Sequence, residues 1–150
     1  MYVTKADYKG KISVGLLDML LAEDESNILA MSSKVAEDTI ATTAGVLYNV
    51  VDEFAKTALT RNYYLLNLAI DIALYNIYQR SDDEQIPEKI IKNHDDAMDD
   101  LQKISIGKSA LDLPPKVNVD DSTAGGGETV GTGGTGLRRI GSQVKRTHNI

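Results

Sequence analysis

The chain has 150 residues, of which 42% are hydrophobic and 25% are charged, and its formal net charge is −6. These values are ordinary for a globular protein with one core. The absence of cysteine excludes disulfides and thiolate chemistry, and no apolar run reaches the roughly 20 residues that a membrane span needs. The opening residues, MYVTKADYKGK, lack the apolar stretch of a signal peptide. We therefore expect no membrane partner.

The charges are unevenly distributed along the chain. Residues 1–115 contain 11 Lys and Arg against 19 Asp and Glu, whereas residues 116–150 contain five against three. An acidic body repels phosphate groups and is a poor candidate for wrapping nucleic acid. The basic end of the chain needs a separate explanation.

The first half of the chain predicts helices in succession. Thr4 is suited to cap a first turn, with Asp7 three residues later, and Ser13 is suited to cap a short second helix. Ser26 is the predicted N-cap of a long third helix. Its predicted buried face follows helical spacing and consists of Leu29, Ala36, Ile40, Leu47, Val50 and Phe54. Gly45 favours a break in this pattern near residues 45–50.

The strongest helical pattern is NYYLLNLAIDIALYNIYQR, residues 62–80. It is apolar on nearly all sides, which indicates a helix surrounded by other helices or by neighbouring subunits. Asp71 is its only charge between Arg61 and Arg80. A carboxylate in such a helix needs a partner, so we predict that Asp71 caps a neighbouring helix or pairs with an arginine across a subunit boundary.

A last helix follows Pro87, with one predicted face made of Ile90, His94, Ala97, Leu101 and Ile104. Gly107 is suited to end it, and Pro114 and Pro115 forbid further helix. Eight of the 12 glycines lie beyond this point. We therefore predict an all-α bundle of about five helices with an extended Gly-rich C-terminal arm, divided into a helical domain of residues 1–113 and a tail of residues 114–150.

The arm contains GTGGTG, residues 131–136, which matches the glycine spacing of a dinucleotide-binding loop. That loop works between a strand and a helix, whose N-terminus receives the phosphate. No strand precedes Gly131, and only 14 residues follow Gly136. We interpret the glycines as a linker and predict no cofactor.

The last helix carries DDAMDD, residues 95–100, which resembles the aspartate-rich motif that holds magnesium in prenyl-diphosphate synthases. Those enzymes have two such motifs, and this chain has one. The alternative, a solvated acidic face, is the interpretation that we favour. His94 is interpreted as a core or interface residue, since the only other histidine is His148. We assign no catalytic and no metal-binding residue.

The residues from 62 to 113 resemble the Mu-like tailed-phage family of head-tail connector proteins, also called adaptor or head-completion proteins. The family pattern is an Asp-Ile-Ala-x-Tyr-x-x-Tyr helix followed by a helix that ends in Ala-x-x-x-Leu-x-x-Ile-x-x-Gly-Lys and an extended Leu-Pro. The matching positions are Asp71, Ile72, Ala73, Tyr75, Tyr78, Ala97, Leu101, Ile104, Gly107, Lys108, Leu113 and Pro114. The opening Tyr2-x-Thr4-x-x-Asp7 fits the family as well.

The resemblance implies a structural virion protein without enzymatic activity, made in the bacterial host cytoplasm and located in the virion neck. It implies a homo-oligomeric ring, expected to be a dodecamer, beneath the portal protein. The ring would extend the channel through which genomic DNA passes and would dock a downstream neck or tail protein. We assign a subunit-interface or buried polar role to Asp71, Tyr75, Tyr78 and Arg80.

The end of the arm, LRRIGSQVKRTHNI, alternates apolar and basic side chains. Such an arm can become ordered on a partner and wrap a large surface. The residues predicted to bind the portal or another partner are Leu137, Arg138, Arg139, Ile140, Val144, Lys145, Arg146 and Ile150. The alternative is a small DNA-binding accessory protein that uses this basic tip, whose affinity for DNA would be sensitive to salt.

Overall fold

The structure is a computed structural model that describes residues 1–80 and 85–116. The described residues belong to a compact unit, Met1–Val117. The predictions for the Gly-rich arm, including the glycines of residues 131–136, lie outside the described residues.

The prediction of an all-α bundle of about five helices is confirmed for the described residues. They form five α-helices: α1 (Val14–Leu20), α2 (Glu25–Thr43), α3 (Val50–Phe54), α4 (Tyr63–Gln79) and α5 (Glu88–Ser105). Three 3₁₀ helices lie between or before them: Lys5–Gly10, Ala44–Val46 and Ala58–Thr60. The only β-type pairing in this part of the chain is an isolated antiparallel bridge between Tyr48 and Pro115.

The starts of the first helices follow local side-chain chemistry. The backbone N–H and the hydroxyl of Thr4 both donate to the Asp7 carboxylate at 2.7 Å, and the Ser13 hydroxyl accepts from the Leu16 N–H. The prediction of Ser26 as the N-cap of α2 is wrong, because Ser26 lies inside the helix. Asp24 takes that position and accepts from the Asn27 N–H, since its carboxylate satisfies a free backbone donor and also favours the positive end of the helix.

Helix α4 is the centre of the bundle. It packs against α2, α5 and the 3₁₀ helix Lys5–Gly10. Its buried residues occupy all sides of the helix and include Leu65, Leu66, Leu68, Ala69, Ile70, Ile72, Ala73, Leu74, Ile77 and Tyr78. Helices of the same chain therefore bury much of the surface that the sequence assigned to neighbouring helices or subunits.

The predicted apolar face of α2 does not continue to Phe54 as one helix. The helix ends at Thr43, whose hydroxyl donates to the carbonyls of Thr39 and Ile40. Such side-chain bonds compete with the helical pattern of the backbone. The 3₁₀ helix Ala44–Val46 then replaces the α-helical periodicity, so Leu47, predicted to be buried, is 38% exposed, whereas Val50 is buried. We call residues 44–62 the middle segment.

Helix α5 buries the predicted face Ile90, Ala97, Leu101 and Ile104. It ends before Gly107, which has the positive φ of +72° that glycine adopts most readily. The Lys108 N–H reaches back to the Lys103 carbonyl at 2.8 Å and closes the helix end. The chain then returns towards the middle segment.

Candidate functional site

A buried carboxylate joins the N-terminus to the middle segment. Glu53 lies on α3 and is 1% exposed. It accepts hydrogen bonds from the Tyr2 hydroxyl at 3.0 Å, from Lys56 Nζ at 2.7 Å and from the Asn62 backbone N–H. Because each of these groups satisfies the buried charge, one side chain connects Tyr2, α3 and the start of α4.

A second link is made by Arg61. Its Nη1 and Nη2 donate to the two oxygens of the Asp7 carboxylate at 2.8 Å each, which is the bidentate geometry that guanidinium favours. Nη1 also donates to the Tyr2 carbonyl at 2.7 Å, and Nε donates to the Ala58 carbonyl at 3.0 Å. Arg61 therefore holds the N-terminus and the 3₁₀ turn at Ala58 in one arrangement. We call the contacts of Tyr2, Asp7, Glu53 and Arg61 the N-terminal network.

Both carboxylates of the N-terminal network are stabilised in their charged form. Burial by itself would raise the pKa of Asp7, but the hydrogen bonds from Arg61 and Thr4 outweigh it and lower that pKa below its usual value. Burial acts against Glu53 in the same way, and the bonds from Lys56, Asn62 and Tyr2 lower its pKa overall. For Tyr2, burial and the neighbouring Glu53 raise the pKa of the phenol.

These pKa directions predict that the fold loses stability in acid. A carboxyl group whose pKa is lowered on folding contributes stability above its unfolded pKa, near 4, and loses it as the pH falls through the folded value. We expect the free energy of unfolding, measured by urea denaturation, to fall as the pH drops below about 4.5. The double variant Asp7→Asn, Glu53→Gln should show a smaller fall over the same range. An equal pH dependence in both proteins would contradict the role of these two groups.

The sequence pattern indicates only half of the N-terminal network. Tyr2 and Asp7 belong to the Tyr2-x-Thr4-x-x-Asp7 motif, whereas Glu53 and Arg61 belong to no motif of the chain. Glu53 follows the predicted buried residue Val50 by three positions, so helical spacing places both on one face, but a charged side chain next to Asp52 favoured a solvent-exposed position. One sequence feature does point to Arg61: it directly precedes the apolar start of α4, where a cation needs an acidic partner.

Asp71 is buried within one chain and has two partners there. Lys11 Nζ donates to Oδ2 at 2.8 Å, and Asn93 Nδ2 lies 3.5 Å from Oδ1. Neither an arginine nor a helix end supplies these contacts within the chain, and a pairing of Asp71 with an arginine across a subunit boundary stays a prediction. The 3₁₀ helix Lys5–Gly10 packs against α4 and places the next residue, Lys11, beside the carboxylate.

The other residues assigned to an interface lie at different depths. Tyr78 is buried, Tyr75 is half-buried and Arg80 is exposed, with Nη1 3.5 Å from the Met31 sulfur. The ring of Tyr75 stacks on His94 at 4.1 Å between ring centroids. His94 thus helps to join α4 to α5. A contact of these residues with another subunit stays a prediction.

The aspartates of DDAMDD lie on the outer face of α5. Asp95, Asp96 and Asp99 are exposed, and Asp100 accepts hydrogen bonds from Tyr64 Oη at 3.0 Å and Lys103 Nζ at 2.9 Å. Within residues 1–80 and 85–116, no group of three or more His, Cys, Asp or Glu side chains is arranged to hold a metal ion. The magnesium hypothesis therefore gains no geometric support from this face.

The Leu-Pro stretch after α5 lies along the middle segment. The Asn49 N–H donates to the Pro114 carbonyl at 3.0 Å, and the Lys116 N–H donates to the Leu47 carbonyl at 2.8 Å. The Tyr48 hydroxyl accepts from the Leu111 N–H at 3.2 Å. The first residues of the arm, 114–116, are therefore attached to the middle segment by backbone hydrogen bonds.

The predicted partner-binding residues of the arm, from Leu137 to Ile150, lie outside the described residues. Their role stays a prediction. No described helix is both long enough and apolar enough to cross a membrane.

Comparison with known proteins gives one family. Residues 2–129 match the model of a protein family described as Bacteriophage Mu, Gp36. The matched range includes the N-terminal network, all five α-helices and the Leu-Pro stretch. No curated protein and no solved structure matches the chain.

Proposed function

The chain belongs to the Bacteriophage Mu, Gp36 family, and from that membership we propose that it is the head-tail connector of a Mu-like phage. The family makes it a structural or morphogenesis protein of a bacteriophage, of a type that is not known to be enzymatic. The proposed connector is a ring of copies beneath the portal protein. It extends the DNA channel and docks the next neck or tail protein.

The observation that carries this proposal is the family match over residues 2–129. The residues of the family pattern also have structural positions in the helical bundle. Ala97, Leu101 and Ile104 are buried between helices, and Gly107 ends α5. Asp71 is neutralised by Lys11 within the bundle. These residues build a stable body rather than a cluster of reactive groups, which suits a protein that acts by assembling.

The arm is proposed as the anchor on the portal. Its first residues, 114–116, are attached to the middle segment by backbone hydrogen bonds. Its last 14 residues carry four cations and no acidic residue. A segment of this composition can become ordered on a partner surface. Because its first residues are fixed to the helical domain, a bound arm would hold that domain close to the partner.

The test is binding to capsids that lack tails, imaged by electron microscopy. We expect the full chain to add a ring at the portal vertex and a chain that ends at residue 117 to bind much more weakly. Circular dichroism checks that the shortened chain keeps its helices. Rings from both chains would support the connector and remove the arm as its anchor.

A full chain that adds no ring under any salt condition would overturn the connector proposal. Salt-sensitive binding of DNA that disappears with residues 137–150 would then favour the DNA-binding accessory protein instead.

A further inference from the structure

The middle segment and the start of α4 expose an unusual amount of apolar surface. Six large hydrophobic side chains that are at least 38% exposed fall within residues 46–64: Val46, Leu47, Val51, Leu59, Tyr63 and Tyr64. Exposed apolar residues that occur singly need no explanation, whereas several within one short stretch of chain single out that stretch as a candidate for an interaction surface. The short helix α3 lies within this region.

Helix α3 has one face towards the body and one towards solvent. Val50 and Glu53 point inwards and are at most 2% exposed, whereas Val51 is 70% exposed and Asp52 is exposed beside it. Asp52 accepts a hydrogen bond from Asn49, and no lysine or arginine among the described residues pairs with it. The outer face of α3 thus offers an apolar side chain next to an uncompensated negative charge.

The N-terminal network holds this face in a fixed position. Glu53 ties α3 to Tyr2 and to the start of α4, and Arg61 ties the end of the middle segment to Asp7. A surface that is already ordered loses little conformational entropy when it binds. Val51 and Asp52 are therefore suited to make a specific contact.

A groove elsewhere on the same unit has the complementary character. It has a volume of about 360 Å³ and lies between the 3₁₀ helix Lys5–Gly10 and α1, lined by Lys5, Ala6, Lys9, Val14 and Leu17. Lys5 is already paired with Asp18 at 2.8 Å and with Glu25 at 2.9 Å. Lys9 is exposed and has no acidic partner among residues 1–80 and 85–116. The groove thus combines apolar walls with one uncompensated positive charge.

We propose that α3 of one copy docks on this groove of a second copy, with Val51 against Val14 and Asp52 beside Lys9. Each surface offers one apolar side chain, and the charges beside these side chains have opposite signs. Because the two surfaces differ, the contact is head-to-tail, which is the type of contact that generates a ring when the rotation between successive copies closes. The inference rests on the proposed function, since it names the contact that joins the copies of the connector.

Cysteine cross-linking tests this contact directly, because the native chain has no cysteine. Val51→Cys and Val14→Cys are made in separate full chains with tags of different mass, and the two are mixed under oxidising conditions with and without tailless capsids. A disulfide between the two chains must join different copies and requires Cα atoms within about 7 Å. We expect this mixed dimer to form about ten-fold faster than the pair Ile106→Cys with Val14→Cys, since Ile106 is exposed but lies outside the contact.

Charge reversal supplies the second test. Asp52→Lys and Lys9→Asp should each weaken association about five-fold per contact, as expected for an exposed charge pair made repulsive, and the double variant should restore it. Asp95→Lys, at another exposed position, is the matched control and should leave association unchanged. Sedimentation velocity measures the association, and circular dichroism checks the fold of each variant.

The outcomes separate this contact from the connector itself. Rings at the portal vertex without the mixed disulfide, and with no effect of charge reversal, would overturn the contact and leave the connector proposal standing. The mixed disulfide and the charge rescue without any ring on capsids would support the contact and overturn the connector. If neither rings nor cross-links form, both the contact and the connector proposal are overturned.

Discussion

Replacing Arg61 with alanine should lower the free energy of unfolding by about 3 kcal/mol, because it leaves the nearly buried Asp7 carboxylate without its cation. The side chains of this pair are only 10% and 13% exposed, so water replaces little of the lost interaction. The substitution also removes the donors to the carbonyls of Tyr2 and Ala58. The expected fall in Tm is about 10 °C for a chain of this size.

Two variants control the Arg61 experiment. Lys34→Ala breaks an ion pair with Asp38 whose side chains are more than 60% exposed, and it should cost less than about 0.5 kcal/mol. Arg61→Lys keeps the charge but loses the bidentate geometry, so its stability should fall between wild type and Arg61→Ala. If Arg61→Ala denatures in urea at the wild-type midpoint, the contacts of Arg61 do not contribute to stability in solution.

Replacing Leu74 with alanine should lower the free energy of unfolding by about 3 kcal/mol, since it creates a cavity beside the central helix. Leu74 lies on α4 and is fully buried. Leu59→Ala is the matched control: the same side chain is removed at a position that is 84% exposed, and the change should stay within about 0.5 kcal/mol. Urea denaturation measures both variants.

The effect of protein concentration on the stability of Leu74→Ala shows whether α4 is buried within one chain or between copies. If α4 is buried by helices of its own chain, the loss of stability should be the same at low and high protein concentration. A loss that grows on dilution would instead place this part of α4 between copies, because the stability of an interface depends on the concentration of its partner. That result would contradict the arrangement of α2, α4 and α5 described above.

These stability effects connect the fold to the proposed connector. The N-terminal network does not belong to the central apolar packing, but it determines where α3 and the turn at Ala58 lie. The start of the arm is attached to the same middle segment through Leu47 and Asn49. A change in the middle segment would therefore alter both the contact proposed between copies and the base of the arm.

Helix positions could be predicted from the sequence because helical periodicity and capping are local properties. The apolar stripes on α4 and α5, the caps at Thr4 and Ser13, and the stop at Gly107 all depend on residues within a few positions of one another. The family resemblance also rested on such local patterns, in particular the Asp-Ile-Ala helix. The error at Ser26 is of the kind expected when two suitable capping residues lie two positions apart.

Local sequence patterns were thus enough for the helical class, the order of the main helices and the resemblance to a Mu-like phage family, whereas the identity of the polar contacts depended on how the helices pack. Glu53 and Arg61 became parts of one network only because the chain brings residues about 50 to 60 positions apart into contact. The same holds for Lys11 with Asp71, which are 60 positions apart in the chain. A buried charge needs some partner, and that need can be read from the sequence, but the identity of the partner depends on how the helices pack.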